Sequence, residues 1–239
     1  MKIQAIKHAE FEGIGVIEKW AKENNYSVHF SNPYKGDLLP NTNDFDMLLI
    51  MGGPQSACEL DKYPYLKEEI SLIKEAINQE KYVIGFCLGA QLIAESLGAK
   101  TLKSENIEKG IFSVELTDAG KKDPILKHFG DKFEVAHWHC DMPGIPEGAE
   151  LLAKSEGCSH QAFRYNEKTY GFQFHFEMTR QNLKDIISHL SCDASEGKYV
   201  QSEDQMMQHD IESINEKMIT FLNQLTANKQ ELITNQYVF

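Results

Sequence analysis

Two stretches of this 239-residue chain carry residue types that could do chemistry together. The first is Val83-Ile84-Gly85-Phe86-Cys87-Leu88-Gly89-Ala90-Gln91, where β-branched apolar residues run into Gly-x-Cys-x-Gly and a helical pattern (Leu92, Ile93, Ala94, Leu97) follows at once. Strand, very tight turn and helix with a nucleophile at the turn is the nucleophile-elbow pattern, here with cysteine in the serine position. The glycines have a physical job: side chains at Gly85 and Gly89 would collide with the neighbouring strand and helix around a strained nucleophile. Cys87 is then held at a helix N-terminus, where free N–H groups and the dipole favour a thiolate. The second stretch is His175-Phe176-Glu177, spaced i, i+2 just past an apolar strand, so that both polar side chains can project from one sheet edge.

A cysteine hydrolase or acyl-transfer enzyme needs, besides the thiol, a base, a group that orients the base, and donors for an oxyanion. His175 would meet Cys87 while Glu177 fixes its orientation, by the generalised triad logic. Gly52-Gly53, at the end of a neighbouring apolar run, offers unhindered backbone N–H groups that would form an oxyanion hole with the N–H of Leu88. A lone cysteine is more often a buried core residue, and an isolated His-x-Glu is more often a solvated strand end. The functional reading gains because Gly-Gly-Pro, Gly-x-Cys-x-Gly-x-Gln and His-x-Glu each follow an apolar strand.

The elements that must position these residues read as follows. Ile3 to Ile6 is a strand, Gly13 to Asn25 a helix with Ile14, Ile17, Trp20 and Ala21 on one face, and Tyr26 to Phe30 a second strand. Phe45 to Met51 is an almost unbroken apolar run, as expected for a strand buried on both faces of a parallel sheet. Pro64 opens a helix carrying Leu66, Ile70, Ile73 and Ile77, and Tyr82 to Phe86 is the strand that delivers Cys87. This alternation predicts an α/β, doubly wound, mostly parallel sheet whose ligands collect beyond the carboxyl ends of the strands. Phe112 to Leu116, Phe133 to Ala136 and Leu151 to Ala153 read as short strands of an added antiparallel region, and Phe163 to Tyr165 with Tyr170 to Phe174 as a hairpin around Asn166-Glu167. Thr179 can cap a helix bearing Leu183, Ile186, Ile187 and Leu190, and residues 191–200 read as an exposed loop. Ser202-Glu203-Asp204-Gln205 has capping-box spacing before a last helix over about 202–227, lined by Met207, Ile211, Ile214, Met218, Phe221 and Leu225.

Composition bounds the function classes. A formal net charge of -12 argues against binding nucleic acid or an anionic membrane through general electrostatics. Five cysteines, odd in number and never in CxxC, fit a reducing compartment and a lone catalytic thiol better than a disulfide framework. No stretch approaches the roughly 18 apolar residues of a membrane span, and the N-terminus does not read as a signal peptide, so a cytoplasmic protein is expected. The length suits one domain over 1–239.

The chain resembles the class I glutamine amidotransferases, especially the glutaminase domain of GMP synthase and free-standing proteins similar to it. The matching stretches are Met51-Gly52-Gly53-Pro54, Gly85 to Gln91, Trp138-His139-Cys140-Asp141, Gln161-Ala162-Phe163 and Gly171 to Glu177, within a core of about 45–180. The resemblance implies a flavodoxin-like fold and a Cys87–His175–Glu177 triad that attacks the side-chain amide of glutamine, forms a γ-glutamyl thioester with release of ammonia, and hydrolyses it to glutamate. It implies an oxyanion hole from Gly53 and Leu88, and substrate contacts from Gly52, Gln91, His139, Asp141 and Gln161. Two departures stand out: Phe176 occupies a position where the family commonly has proline, and Ala90 one where it commonly has glutamine. No synthase domain follows, which leaves room for an unlinked synthase subunit as the ammonia acceptor. The alternatives are a stand-alone γ-glutamyl peptidase or hydrolase, and a non-catalytic binding or regulatory protein on the same fold. His137 and His139 could share a face as metal ligands, yet no second ligand pair with convincing spacing stands out, and no metal or cofactor is expected.

Overall fold

The computed structural model describes residues 1–189 and 197–236, the last nine of these by backbone alone. Five strands run parallel: β1 (Lys2–Ile6), β2 (Ser27–Ser31), β3 (Met47–Ile50), β4 (Tyr82–Phe86) and β9 (Thr169–Phe172). The sheet continues beyond β9 as an antiparallel extension of β8 (Ala162–Asn166), β7 (Glu150–Lys154), β5 (Leu102–Leu116) and β6 (Lys132–Met142), giving the nine-stranded order β2-β1-β3-β4-β9-β8-β7-β5-β6. Its first five positions have the doubly wound, flavodoxin-like order, so the expected fold is the one observed.

Alternation along the parallel strands divides the core in two. Ile3, Ala5, Met47, Leu49, Ile84 and Phe86 face α1 (Val16–Glu23) and α6 (Ile211–Gln236), whereas Ile6, Leu48, Ile50 and Val83 face α2 (Tyr65–Asn78) and α3 (Leu88–Ser96). Strands covered on both faces need continuous apolar runs, which is why β3 and β4 lack a polar alternation. Trp20 of α1 locks against α6, its indole N–H donating to Asn223 Oδ1 at 2.8 Å.

Four expectations are corrected. The strand read at Phe112 to Leu116 begins ten residues earlier at Leu102, and the one read at Phe133 to Ala136 runs on to Met142. Their extra length forms a two-stranded ribbon, because β7 pairs only with Glu115 and Leu116 of β5. The last helix is two: α5 (Glu203–Met207), with the predicted capping box at Ser202 and Gln205, and α6. Arg180, at the start of α4 (Arg180–His189), explains the break. Its guanidinium donates to the carbonyls of Met207 at 2.9 Å and His209 at 3.2 Å, and Asp210 then accepts the Ser213 amide at 3.0 Å as a new cap. Finally, β9 ends at Phe172 rather than Phe174, and most of the predicted 191–200 loop, with Leu190 and Cys192, lies outside the described residues.

Candidate active site

The site forms at the carboxyl ends of β3, β4 and β9. Cys87 follows β4 directly with φ +50° and ψ −110°, a left-handed backbone that non-glycine residues rarely adopt and that persists only where its surroundings enforce it. Two glycines show those surroundings. A Cβ on Gly85 would lie 2.4 Å from the carbonyl carbon of Gly89, and one on Gly89 would lie 2.0 Å from the carbonyl oxygen of Ile50. Strands β3 and β4 thus approach the first turn of α3 more closely than any side chain permits. Cys87 is 9% exposed, and its thiol lies 3.8 Å from the Trp138 carbonyl oxygen.

His175 lies beyond the end of β9, on a segment held by β6. Its amide donates to the Ala136 carbonyl at 2.7 Å and its carbonyl accepts from the Ala136 amide at 2.9 Å. The ring Nδ1 sits 2.6 Å from Glu177 Oε1, and the Phe176 amide donates to Glu177 Oε2 at 3.1 Å. Burial alone would favour a neutral ring, but the Glu177 carboxylate and a hydrogen bond with the Cys87 thiol overcome it and raise the His175 pKa to about 10. The ring is therefore an imidazolium at neutral pH, next to the thiol.

The backbone donors have their own support. His8 donates from Nδ1 to the Gly52 carbonyl at 3.0 Å, and its Nε2 meets Glu69 Oε2 at 2.8 Å with both side chains buried. Burial opposes charge on His8, yet Glu69 more than offsets it and the pKa is raised. The Gly52–Gly53 peptide is trans and planar, so fixing its carbonyl toward His8 turns the Gly53 N–H to the opposite side. Gly53, Cys87, Leu88, Gln91, His139 and Asp141 line one cleft of 350 Å³, into which the unpaired N–H groups at the start of α3 can point.

The remaining sequence candidates separate. Gln91 donates to Gln173 Oε1 at 3.0 Å, and Asp141 accepts from Ser56 Oγ at 2.7 Å and pairs with Lys103 Nζ at 2.6 Å, so both reach the cleft already oriented. Gly52 lies against the ring side of His175, where an added Cβ would be 3.3 Å from Cε1. Gln161 is fully buried, donates to Glu108 Oε2, and is not part of the cleft lining.

Sequence reasoning missed His8, Glu69 and Glu12. Glu12 shares a small pocket with Gly52, His175 and Glu177, and its Oε2 is buried without a hydrogen-bond partner. Burial pushes its pKa up to about 7, although the cationic His175 and His8 pull the other way. No local pattern marks these three residues, which come from the β1–α1 connection and from α2.

The profile of the family Glutamine amidotransferase class-I matches residues 16–190. This chain belongs to that family. It is 39% identical over 233 residues to the glutamine amidotransferase-like protein YfeJ of Salmonella typhimurium, covering 95% of this chain and 98% of that one. It is 34% identical over 154 residues to one of the subunits of the glutamine-hydrolyzing GMP synthase of Methanosphaera stadtmanae, covering 60% and 76% of the two chains. The fold is similar to that of a glutamine amidotransferase from Thermotoga maritima, with a TM-score of 0.83, 28% identity, and coverage of 94% and 97%. Within this class I amidotransferase, the cleft beside Cys87 and the His175–Glu177 pair lie at one end of the parallel sheet.

Proposed function

We propose that the protein is a glutaminase of the amidotransferase type, acting through Cys87, His175 and Glu177. The observation that carries this reading is the combination of the left-handed Cys87 elbow with a His175 ring tied to Glu177 at 2.6 Å. The Cys87 sulfur, its proton already held by His175, attacks the side-chain carbonyl carbon of glutamine, and the oxygen charge that develops is met by the Gly53 and Leu88 N–H groups. Collapse of this adduct breaks the carbon–nitrogen bond. His175 gives its proton to the leaving nitrogen, so ammonia departs and a γ-glutamyl thioester remains. A water molecule, losing a proton to His175, attacks the thioester, and the carbon–sulfur bond breaks to release glutamate and restore the Cys87 sulfur beside protonated His175.

Gln91, His139 and Asp141 of the cleft, with Gly52 beside His175, are the groups proposed to hold the substrate, and an unlinked synthase subunit is the proposed acceptor of ammonia. The basis for that partner is the similarity to GMP synthase subunits from Methanosphaera stadtmanae and Methanococcus vannielii. One continuous sheet carrying the nine strands of the described residues supports reading the chain as one amidotransferase-like unit.

The test is release of ammonia and glutamate from glutamine and from γ-glutamyl dipeptides, by wild type and Cys87→Ala. Turnover of glutamine abolished by the substitution supports the proposal. Faster turnover of the dipeptides than of glutamine would replace it with a stand-alone γ-glutamyl peptidase. Turnover unaffected by Cys87→Ala would overturn the cysteine mechanism.

A further inference from the structure

One buried cluster lies behind the cleft wall and shares only His139 with the site just described. Glu108 of β5 lies directly across from His139 of β6, and His137 is two residues along on the same face. Glu108 Oε2, His137 Nδ1 and His139 Nε2 lie 3.1, 3.5 and 3.5 Å from one another. Ligands about 2.0–2.1 Å from a zinc ion at tetrahedral corners stand ~3.3 Å apart, so these three atoms already mark three corners of such a site. Among the described residues this is the one group of three histidine, cysteine or carboxylate side chains whose ligand atoms converge in this way.

The fourth corner is also occupied by a side chain. The Gln161 amide places Nε2 at 2.5, 3.4 and 3.5 Å from Glu108 Oε2, His137 Nδ1 and His139 Nε2, while its Oε1 is buried with no hydrogen-bond partner. In that orientation three nitrogens surround one carboxylate oxygen, and Nε2 also donates to Ser155 Oγ at 2.9 Å. Turning the amide over exchanges its two end atoms and brings Oε1 to the corner, which leaves two imidazole nitrogens and two oxygens around one point. All four side chains are more than nine-tenths buried.

We propose that Glu108, His137, His139 and the Gln161 amide oxygen form a binding site for one divalent transition-metal ion, zinc being the ion that this donor set suits best. The sequence reading expected no metal, and the carboxylate of this cluster comes from a polar strand remote from the histidines, where no short window groups the three residues. Access exists on two sides, since Glu108 borders an open cavity of 500 Å³ and His139 borders the cleft. The ion would clamp β5, β6 and the segment before β8 together. Trp138, held between the two histidine ligands, presents its carbonyl to the Cys87 thiol, so the clamp would stiffen the cleft wall at Trp138 and His139.

The test titrates chelator-treated protein with Co²⁺, in a Cys87→Ala background so that the nucleophile cannot bind the probe. One Co²⁺ per chain, with the visible bands of a four-coordinate nitrogen and oxygen site and no thiolate charge-transfer band, is the expected result. Glu108→Gln and His137→Gln should each weaken binding by about 100-fold or more, while exposed His128→Gln leaves it unchanged. Should either ligand variant fail to fold, the wild-type spectrum and stoichiometry still decide. Absence of stoichiometric Co²⁺ binding, a thiolate band, or equal affinity in folded Glu108→Gln would overturn the proposal and leave the cluster as a hydrogen-bond network.

Discussion

The Phe176 amide and the Glu177 carboxylate form a one-residue clamp, N–H to Oε2 at 3.1 Å, while Oε1 of the same carboxylate holds His175. Proline, common at this position in the family, has no N–H and could not make that bond. The departure from the family pattern thus supplies an anchor to Glu177, and the Phe176 ring fills a cluster with Phe86, Phe172, Phe174 and Phe221 at centroid distances of 6.1, 4.8, 5.4 and 5.9 Å.

Substitutions at 176 should separate these two contributions. Phe176→Leu keeps the amide and should cost about 1 kcal/mol of stability with turnover near wild type. Phe176→Pro removes both ring and donor. It should cost about 3 kcal/mol or more, and it should lower kcat about 100-fold if Glu177 shifts by ~1 Å. Urea midpoints and glutaminase kcat are the readouts, and equal turnover in the two variants would refute the anchoring role.

Glu177 also sets the charge of His175. With the carboxylate present the ring pKa is raised to about 10, so its contribution to stability is complete below the unfolded value of 6.5 and is lost as pH rises through 10. In Glu177→Gln, burial loses its main opponent and the ring pKa should fall. NMR titration of the imidazole should find a charged ring at pH 8 in wild type and a neutral one in the variant. Identical titrations would show that the 2.6 Å contact does not govern the ring.

How much of this was legible follows the range of the interactions. The elbow and His-x-Glu are local patterns, so Cys87, His175 and Glu177 could be picked out from spacing alone. The first half of β5 could not. Lys103, Glu105 and Lys109 sit on a ribbon with solvent on much of both faces, where no apolar alternation is required. The gap between α5 and α6 was hidden because Met207, Ile211, Ile214 and Met218 keep helical spacing across it, and the side chain that ends α5 is Arg180, far away in sequence. His8, Glu69, Glu12 and Glu108 act through contacts between distant elements, which leave no mark in any short window.

His8 is the clearest such case, and its removal should be costly. In His8→Ala the Gly52 carbonyl loses its donor and Glu69 remains as a buried charge without its partner, which should destabilise the fold by about 3–5 kcal/mol. The double variant His8→Ala/Glu69→Leu should recover part of that loss, because no unpaired charge then remains. The released Gly52–Gly53 peptide should lower kcat more than it raises KM in both, since an oxyanion donor acts mainly in the transition state. Denaturant melts and steady-state kinetics on glutamine measure the two effects. A double variant no more stable than the single one would show that the ion pair is not the source of the loss.

Glu12 should have the opposite effect on stability. Its pKa rises from 4.5 unfolded to about 7 folded, chiefly through burial. Below pH 4.5 both states are protonated and no penalty exists. As pH rises to 7 the unfolded chain gives up the proton before the folded one does, so the folded state loses stability by about 3 kcal/mol, at about 1.36 kcal/mol per unit. Glu12→Gln cannot ionise and escapes this penalty. Its unfolding midpoint should therefore match wild type near pH 4 and exceed it increasingly up to pH 8. A gap between the two proteins that stays constant over that range would show that Glu12 does not titrate as its burial beside Gly52 requires.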